Sequence, residues 1–168
     1  MNIRILHPLA RRLAPAFMAL AVAFAAPVAA QAQGKGDHLA TVRAAFDAWA
    51  AGTGGPYALL AEDAVWTITG NSLASKTYAN REAFMSEVIR PFNARMSTGL
   101  KPTIRNLYRD GDTVIVLFDA SGTARDGKPY ANTYAWFLEL RGDRIVRAVA
   151  FFDAIAFDDL WTRVNPTP

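Results

Sequence analysis

The chain has 168 residues, no cysteine, two histidines, and 18 basic against 15 acidic side chains. Without cysteine there is no disulfide framework, thiolate nucleophile, lipoprotein anchor or cysteine-based zinc site. Any chemistry falls to carboxylates, amides, hydroxyls, lysine and arginine.

Residues 1–32 read as a secretory signal peptide. "MNIRILHPLARR" is basic and free of acids, and "LAPAFMALAVAFAAPVA" is an alanine-rich apolar core. Ala30 and Ala32 supply the small residues that a signal peptidase reads. The apolar stretch is near the lower length limit for a membrane span, so an uncleaved anchor is the competing reading. The proline-interrupted core and the small-residue site favour cleavage after Ala32, hence a periplasmic or secreted protein with no stable membrane association. Arg11 and Arg12 hint at twin-arginine export, but the residues around them fit that signal poorly. Arg4, Arg11 and Arg12 lie in the leader, which leaves 15 basic and 15 acidic residues in 33–168 (18 less 3, against 15). A neutral remainder carries no electrostatic footprint for nucleic acid or an anionic membrane. His7 is also in the leader, so His38 stands alone near the start of the remainder and no paired-histidine metal site can form. Residues 33–168 suit one domain around a single core.

Leu39, Val42, Phe46 and Trp49 recur at helical spacing between a capping Asp37 and a terminating Gly52, which predicts a helix over about 37–51. "PYALLAEDA" suggests a short second helix with Pro56 in its first turn. "VWTITG" alternates and is β-branched, so 65–70 is a strand, and "NSLASKTYA" is a loop. Asn80 opens a third helix with Phe84, Val88 and Phe92 on one line and Met85, Ile89 and Met96 on the next, and Pro91 should kink or shorten it. After Gly99 the pattern becomes a meander. Turns at "RDGD" (109–112), "RDGK" (125–128) and "RGDR" (141–144) separate strands of about 101–109, 112–124, 129–140 and 144–153. The "RGD" tripeptide is explained by its turn. "DDLWTRV" closes the chain as a short helix. Helices followed by a long curved antiparallel sheet make an α+β domain, with a cavity expected where helices meet the concave face.

Alternation places Tyr130, Asn132, Tyr134, Trp136, Leu138 and Leu140 toward the helices. Asn132 in that row needs partners: either a ligand or neighbour, or the backbone of a bent strand. In a regular last strand Asp153 shares a face with Ile145, Val149 and Phe151. Two roles stand open for Asp153: a general acid/base with a pKa raised by aromatic surroundings, or the ionised N-cap of the terminal helix. Trp66, Ile68, Tyr57 and Tyr78 are expected pocket walls, with Met96 near the mouth and Arg95 on the surface. Phe137 falls on the opposite face of the sheet, where exposed apolar residues favour self-association.

"LLAEDAVWTITG", "TYANREAFMSEVI", "DGKPYANTYAWFLELRGDRIV" and "FFDAIAFDDLW" resemble the nuclear transport factor 2-like superfamily, nearest its SnoaL-like and ketosteroid-isomerase-like bacterial members, over 38–163. The resemblance implies a cone-like fold: three N-terminal helices on a strongly curved, mostly antiparallel sheet, then a short C-terminal helix. The ketosteroid isomerase positions fall on Ala45, Ile68 and Trp136, none of which can do that chemistry. Asp153 matches the last-strand Asp of epoxide-hydrolase-like members, whose partners fall near Phe118 and Ala120, with Asp119 one residue away. These readings predict an exported domain that binds a small, largely apolar organic molecule with no cofactor and no metal. Trp66, Ile68, Tyr57, Tyr78, Phe118, Tyr134, Trp136 and Phe151 would form its pocket. Either it is an isomerase, cyclase or lyase with Asp153 as acid/base and Asn132 and Tyr134 orienting the ligand, or it is a non-catalytic binding or dimerisation module. A homodimer through the sheet is expected in both cases.

Overall fold

Asp37 begins the first helix as its side chain anticipates, accepting a hydrogen bond from the Ala40 amide at 3.1 Å. The computed structural model describes residues 37–166, so the leader reading of 1–32 lies outside the described residues. Helix α1 (His38–Ala51) ends at Gly52, whose φ of 73° is the left-handed conformation that closes a helix at low cost to glycine. Its buried face is His38, Val42 and Phe46. His38 is only 3 % exposed, with Nδ1 3.9 Å from the Asp112 carboxylate.

The expected second helix is a single 3-10 turn, Pro56–Leu59, and strand β1 (Leu60–Ile68) follows at once. "LLAEDA" is rich in helix formers, but Leu60, Ala64, Trp66 and Ile68 all point inward. An irregularity in the pairing between Leu60 and Val65 leaves Glu62 and Asp63 both outside. Strand β2 (Thr77–Tyr78) is a two-residue edge. Asn80 caps α2 (Arg81–Phe84), accepting from the Ala83 amide at 2.8 Å. A π-helical turn (Met85–Ile89) then leads into α3 (Arg90–Asn93). Pro91 explains the wide turn: its ring would collide with the carbonyl four residues back in a regular helix. The π turn, in which the Arg90 amide reaches the Met85 carbonyl, relieves that crowding within one turn.

Strands β3 (Lys101–Asp110), β4 (Thr113–Thr123), β5 (Pro129–Arg141) and β6 (Arg144–Phe152) form the predicted meander. Tight turns through Gly111 and Gly142, each at φ 58°, join the first and last pairs. The six-stranded sheet has the order β2-β1-β6-β5-β4-β3, and β1 with β6 is its parallel pair. The architecture is the α+β, curved-sheet class that the sequence suggests.

One bulge corrects the sequence reading. Glu139 pairs with Arg147 and Leu140 with Ile145, which leaves Val146 as an extra residue in β6. Beyond it the alternation inverts. Ala148 and Ala150 are buried and Phe152 faces inward, while Phe151 is 48 % exposed on the outer face beside Phe137. Phe151, expected in the pocket, is outside it.

Helix α4 (Ala154–Arg163) packs through Phe157 and Leu160. Arg95, expected on the surface, holds it in place and is 8 % exposed. Its guanidinium stacks 4.1 Å from the Trp161 ring and donates to the carbonyls of Pro91 (2.9 Å) and Trp161 (3.3 Å). Removal from water draws its pKa below the usual arginine value.

Candidate functional site

The inward row of β5 behaves as its alternation requires: Tyr130, Asn132, Tyr134 and Trp136 are all buried. Asn132 is fully engaged. Its Oδ1 accepts from the Asp153 amide at 2.9 Å, and its Nδ2 donates to the Asp153 carbonyl at 2.9 Å and to the Tyr130 hydroxyl at 3.0 Å. The Tyr130 and Tyr134 hydroxyls are 2.9 Å apart. Asn132 and Asp153 thus meet, but through the Asp153 main chain. The Asp153 carboxylate accepts from the Ile155 amide at 2.9 Å and from Ala156 at 3.5 Å, at the start of α4. Asp153 also lines a groove of about 330 Å³ together with Lys101, Asp119, Ala120, Asn132 and Thr133. Its contacts serve the cap role.

Two of the concavities on the helix side contain expected pocket residues. The larger is an open cleft of about 660 Å³ between the 52–55 loop and the chain after α3, walled by Trp49, Tyr57, Asn93, Met96, Leu100 and Lys101. The smaller is an inner chamber of about 50 Å³, lined among others by Trp66, Ile68, Phe84, Tyr134, Trp136 and Phe152. Leu100 lines both. Of the expected pocket residues, Tyr57 faces the cleft, while Trp66, Ile68, Tyr134 and Trp136 line the chamber. Phe118 lies one layer behind, stacked 4.8 Å from Tyr134. Tyr78 is buried apart from both, donating to the Ala74 carbonyl at 2.7 Å.

Sequence reasoning missed Trp49, Asn93 and Leu100. Trp49 is on the apolar stripe of α1 and reads as core; the neighbouring "GTGGP" loop, too small to cover it, was the available signal. Gly55 packs against that ring, with an added Cβ there only 3.5 Å from Trp49 Cβ.

Burial sets the protonation of the tyrosines. Desolvation, then Tyr130, raises the Tyr57 pKa. Desolvation raises Tyr130, opposed by its hydrogen bonds to Tyr134 and Asn132. Tyr134 is held well above the usual tyrosine value by burial and then by Tyr130. All three are neutral hydroxyls over the physiological range. Among the described residues no group of three or more His, Asp or Glu side chains is placed to hold a metal ion.

The SnoaL-like domain model matches residues 42–148, well over half the chain. The protein belongs to the SnoaL-like family. Solved structures agree on the fold of this SnoaL-like domain. An NTF2-like protein of unknown function from Burkholderia pseudomallei is 20 % identical with a TM-score of 0.62, over 74 % of this chain and 97 % of that one. An NTF2-like protein from Burkholderia thailandensis is 24 % identical, TM-score 0.57, over 71 % and 93 %. TerC, co-crystallised with polyporic acid, is 17 % identical, TM-score 0.58, over 74 % and 97 %. No curated protein matches the chain.

Proposed function

We propose that this SnoaL-like domain binds a small, largely apolar organic molecule in the cleft between the 52–55 loop and residues 93–101. The observation that carries the reading is the cleft itself. Its 660 Å³ is within the roughly 300–1,000 Å³ typical of small-molecule sites, and Trp49 and Tyr57 offer aromatic faces for a flat ligand. TerC, with the same fold, was crystallised with the organic ligand polyporic acid, which supports the chemical class. Proton transfer by Asp153 is not part of this reading, because its carboxylate accepts from helix amides and Asp153 does not line the cleft. Native mass spectrometry of the protein from its own host should show a bound organic mass that disappears in Trp49→Ala. A wild-type protein whose tryptophan fluorescence no panel of aromatic compounds quenches would overturn the proposal.

The reading includes export and self-association. Cleavage after Ala32 predicts a mature chain starting at Gln33, to be read by intact mass of the exported protein. On the outer face Tyr108, Phe137 and Phe151 are exposed. The flanking charges pair within the chain, Arg105 with Asp119 and Arg147 with Glu139, so a second copy meets apolar surface without like-charge repulsion. Sedimentation should give a dimer, and Phe137→Asp a monomer with the same circular dichroism.

A further inference from the structure

The cleft carries a single charge. Of the residues along its walls, Lys101 alone has an ionised side chain, and no aspartate or glutamate lines the space. The rest of the lining is aromatic, aliphatic or glycine, apart from the Asn93 amide. Tyr57, kept neutral by burial, adds no negative charge. Lys101 opens β3, where pairing with Ser121 and the buried Pro102 beside it hold its backbone. Among the described residues no carboxylate forms an ion pair with its ammonium. The two acids that share the neighbouring groove with it are engaged elsewhere. Asp119 accepts from the Thr133 hydroxyl at 2.6 Å and lies 3.6 Å from Arg105, and Asp153 accepts from the Ile155 amide at 2.9 Å. In the other wall the Gly54 and Gly55 amides donate to no backbone carbonyl of the described residues, which adds unclaimed donors to the same space.

We propose that the cleft selects organic acids, with the Lys101 ammonium taking the single negative charge of a ligand whose flat apolar body lies against Trp49 and Tyr57. This rests on the cleft reading and adds to it the ligand class: aromatic monocarboxylates, in preference to neutral molecules of the same shape. One cation, with no arginine or second lysine on the lining, matches one carboxylate and leaves a phosphate dianion half-neutralised. The distribution of polarity agrees. Lys101 is exposed while Trp49 and Tyr57 are half-buried, so the charge sits at the rim and the aromatic surface further in. A lysine stem lies along apolar surface with its head in water. A carboxylate that meets it there keeps part of its hydration and avoids the desolvation penalty of a buried pair. Lys101 is a specificity residue in this assignment, since it chooses among ligands that the aromatic wall would take equally.

The probes are 2-naphthoate and 2-naphthamide at neutral pH, alike in size and shape and differing in charge. Binding is measured on the purified full-length protein by calorimetry and tryptophan quenching. The naphthoate should bind about fivefold more tightly at low ionic strength, the scale of an exposed ion pair assisted by hydrogen bonding. That margin should shrink as salt is raised. Lys101→Met should bring the naphthoate down to the affinity of the naphthamide, Lys101→Glu should invert the preference, and Lys101→Arg should keep it. The side chain is exposed, so these variants should fold as the wild type does, which circular dichroism checks. Equal affinity of the wild type for the two probes, or a naphthoate preference that survives Lys101→Met, overturns the assignment and leaves the cleft reading standing. Failure of both probes to bind overturns the cleft reading and the assignment with it.

Discussion

Gly122 is a demanding position directly behind Met96 and Gly99, two residues that line the cleft. A Cβ placed there would lie 2.9 Å from Met96 Cε, 2.9 Å from the Thr98 carbonyl oxygen and 3.2 Å from that of Gly99. The methionine can move, but the carbonyls cannot easily do so. Their segment is pinned to the end of β4 by the Ser97 and Thr98 amides on the Thr123 carbonyl (2.8 and 3.1 Å). The Thr123 amide in turn donates to the Thr98 hydroxyl (2.8 Å). Gly122→Ala must therefore stretch these bonds or push Met96 and Gly99 toward the cleft they line. Overpacking of this kind costs about 1–3 kcal/mol, and the lower entropy of the unfolded alanine chain returns about 0.4–1 kcal/mol. A net loss of about 1–2 kcal/mol remains, equivalent to a fall in Tm of roughly 3–8 °C for a domain of this size. Urea unfolding should show a lower midpoint at constant m-value, together with weaker binding of an aromatic probe. A variant as stable as wild type with undiminished probe affinity would refute the close approach and the role of residues 96–99 as a wall.

Two further predictions concern Asp153 and alkaline pH. Asp153→Ala should destabilise by about 1 kcal/mol through loss of the α4 cap, Asp153→Asn should be near neutral, and neither should change probe affinity; an affinity loss in both at unchanged Tm would restore an active role for the carboxylate. For pH, Tyr57, Tyr130 and Tyr134 have folded pKa values raised above the ordinary tyrosine value of 10, chiefly by burial, and Tyr78 is pushed up to about 12. Their contribution is complete below pH 10 and is lost as pH climbs from there through the raised values, because the unfolded chain ionises first. Denaturant midpoints should thus fall above pH 10, and phenolate absorbance of the buried tyrosines should appear together with unfolding.

The meander was legible because its turns are written in Asp-Gly and Arg-Gly pairs and its strands alternate cleanly, and α1 and α2 start at residues whose side chains cap them. The row containing Asn132 followed from the same alternation. What escaped were features that depend on an extra residue or on tertiary neighbours. One bulge at Val146 reverses every later side chain of β6, so Phe151 moved outside while Phe152 moved in. Arg95 looks like a surface cation until Trp161, 66 residues later, supplies a ring and a carbonyl. Leu60–Ala64 has helical composition, and only the partner strand makes it β. For Asp153 both roles fit the local sequence; only the structure shows its carboxylate accepting from the Ile155 and Ala156 amides at the start of α4.

The parallel pairing of β1 with β6 also governs when the molecule can become itself. Trp66 finds its neighbour in Ala148, near the far end of the chain, whereas each strand of the meander pairs with the next one synthesised. A growing chain can thus carry α1 and β1 with no strand for β1 to join except the two-residue β2 until the last strand has been made. The first half waits, unfinished, for the second. Truncation before Arg144, which removes the last strand, is therefore a defect in the first strand as much as in the last.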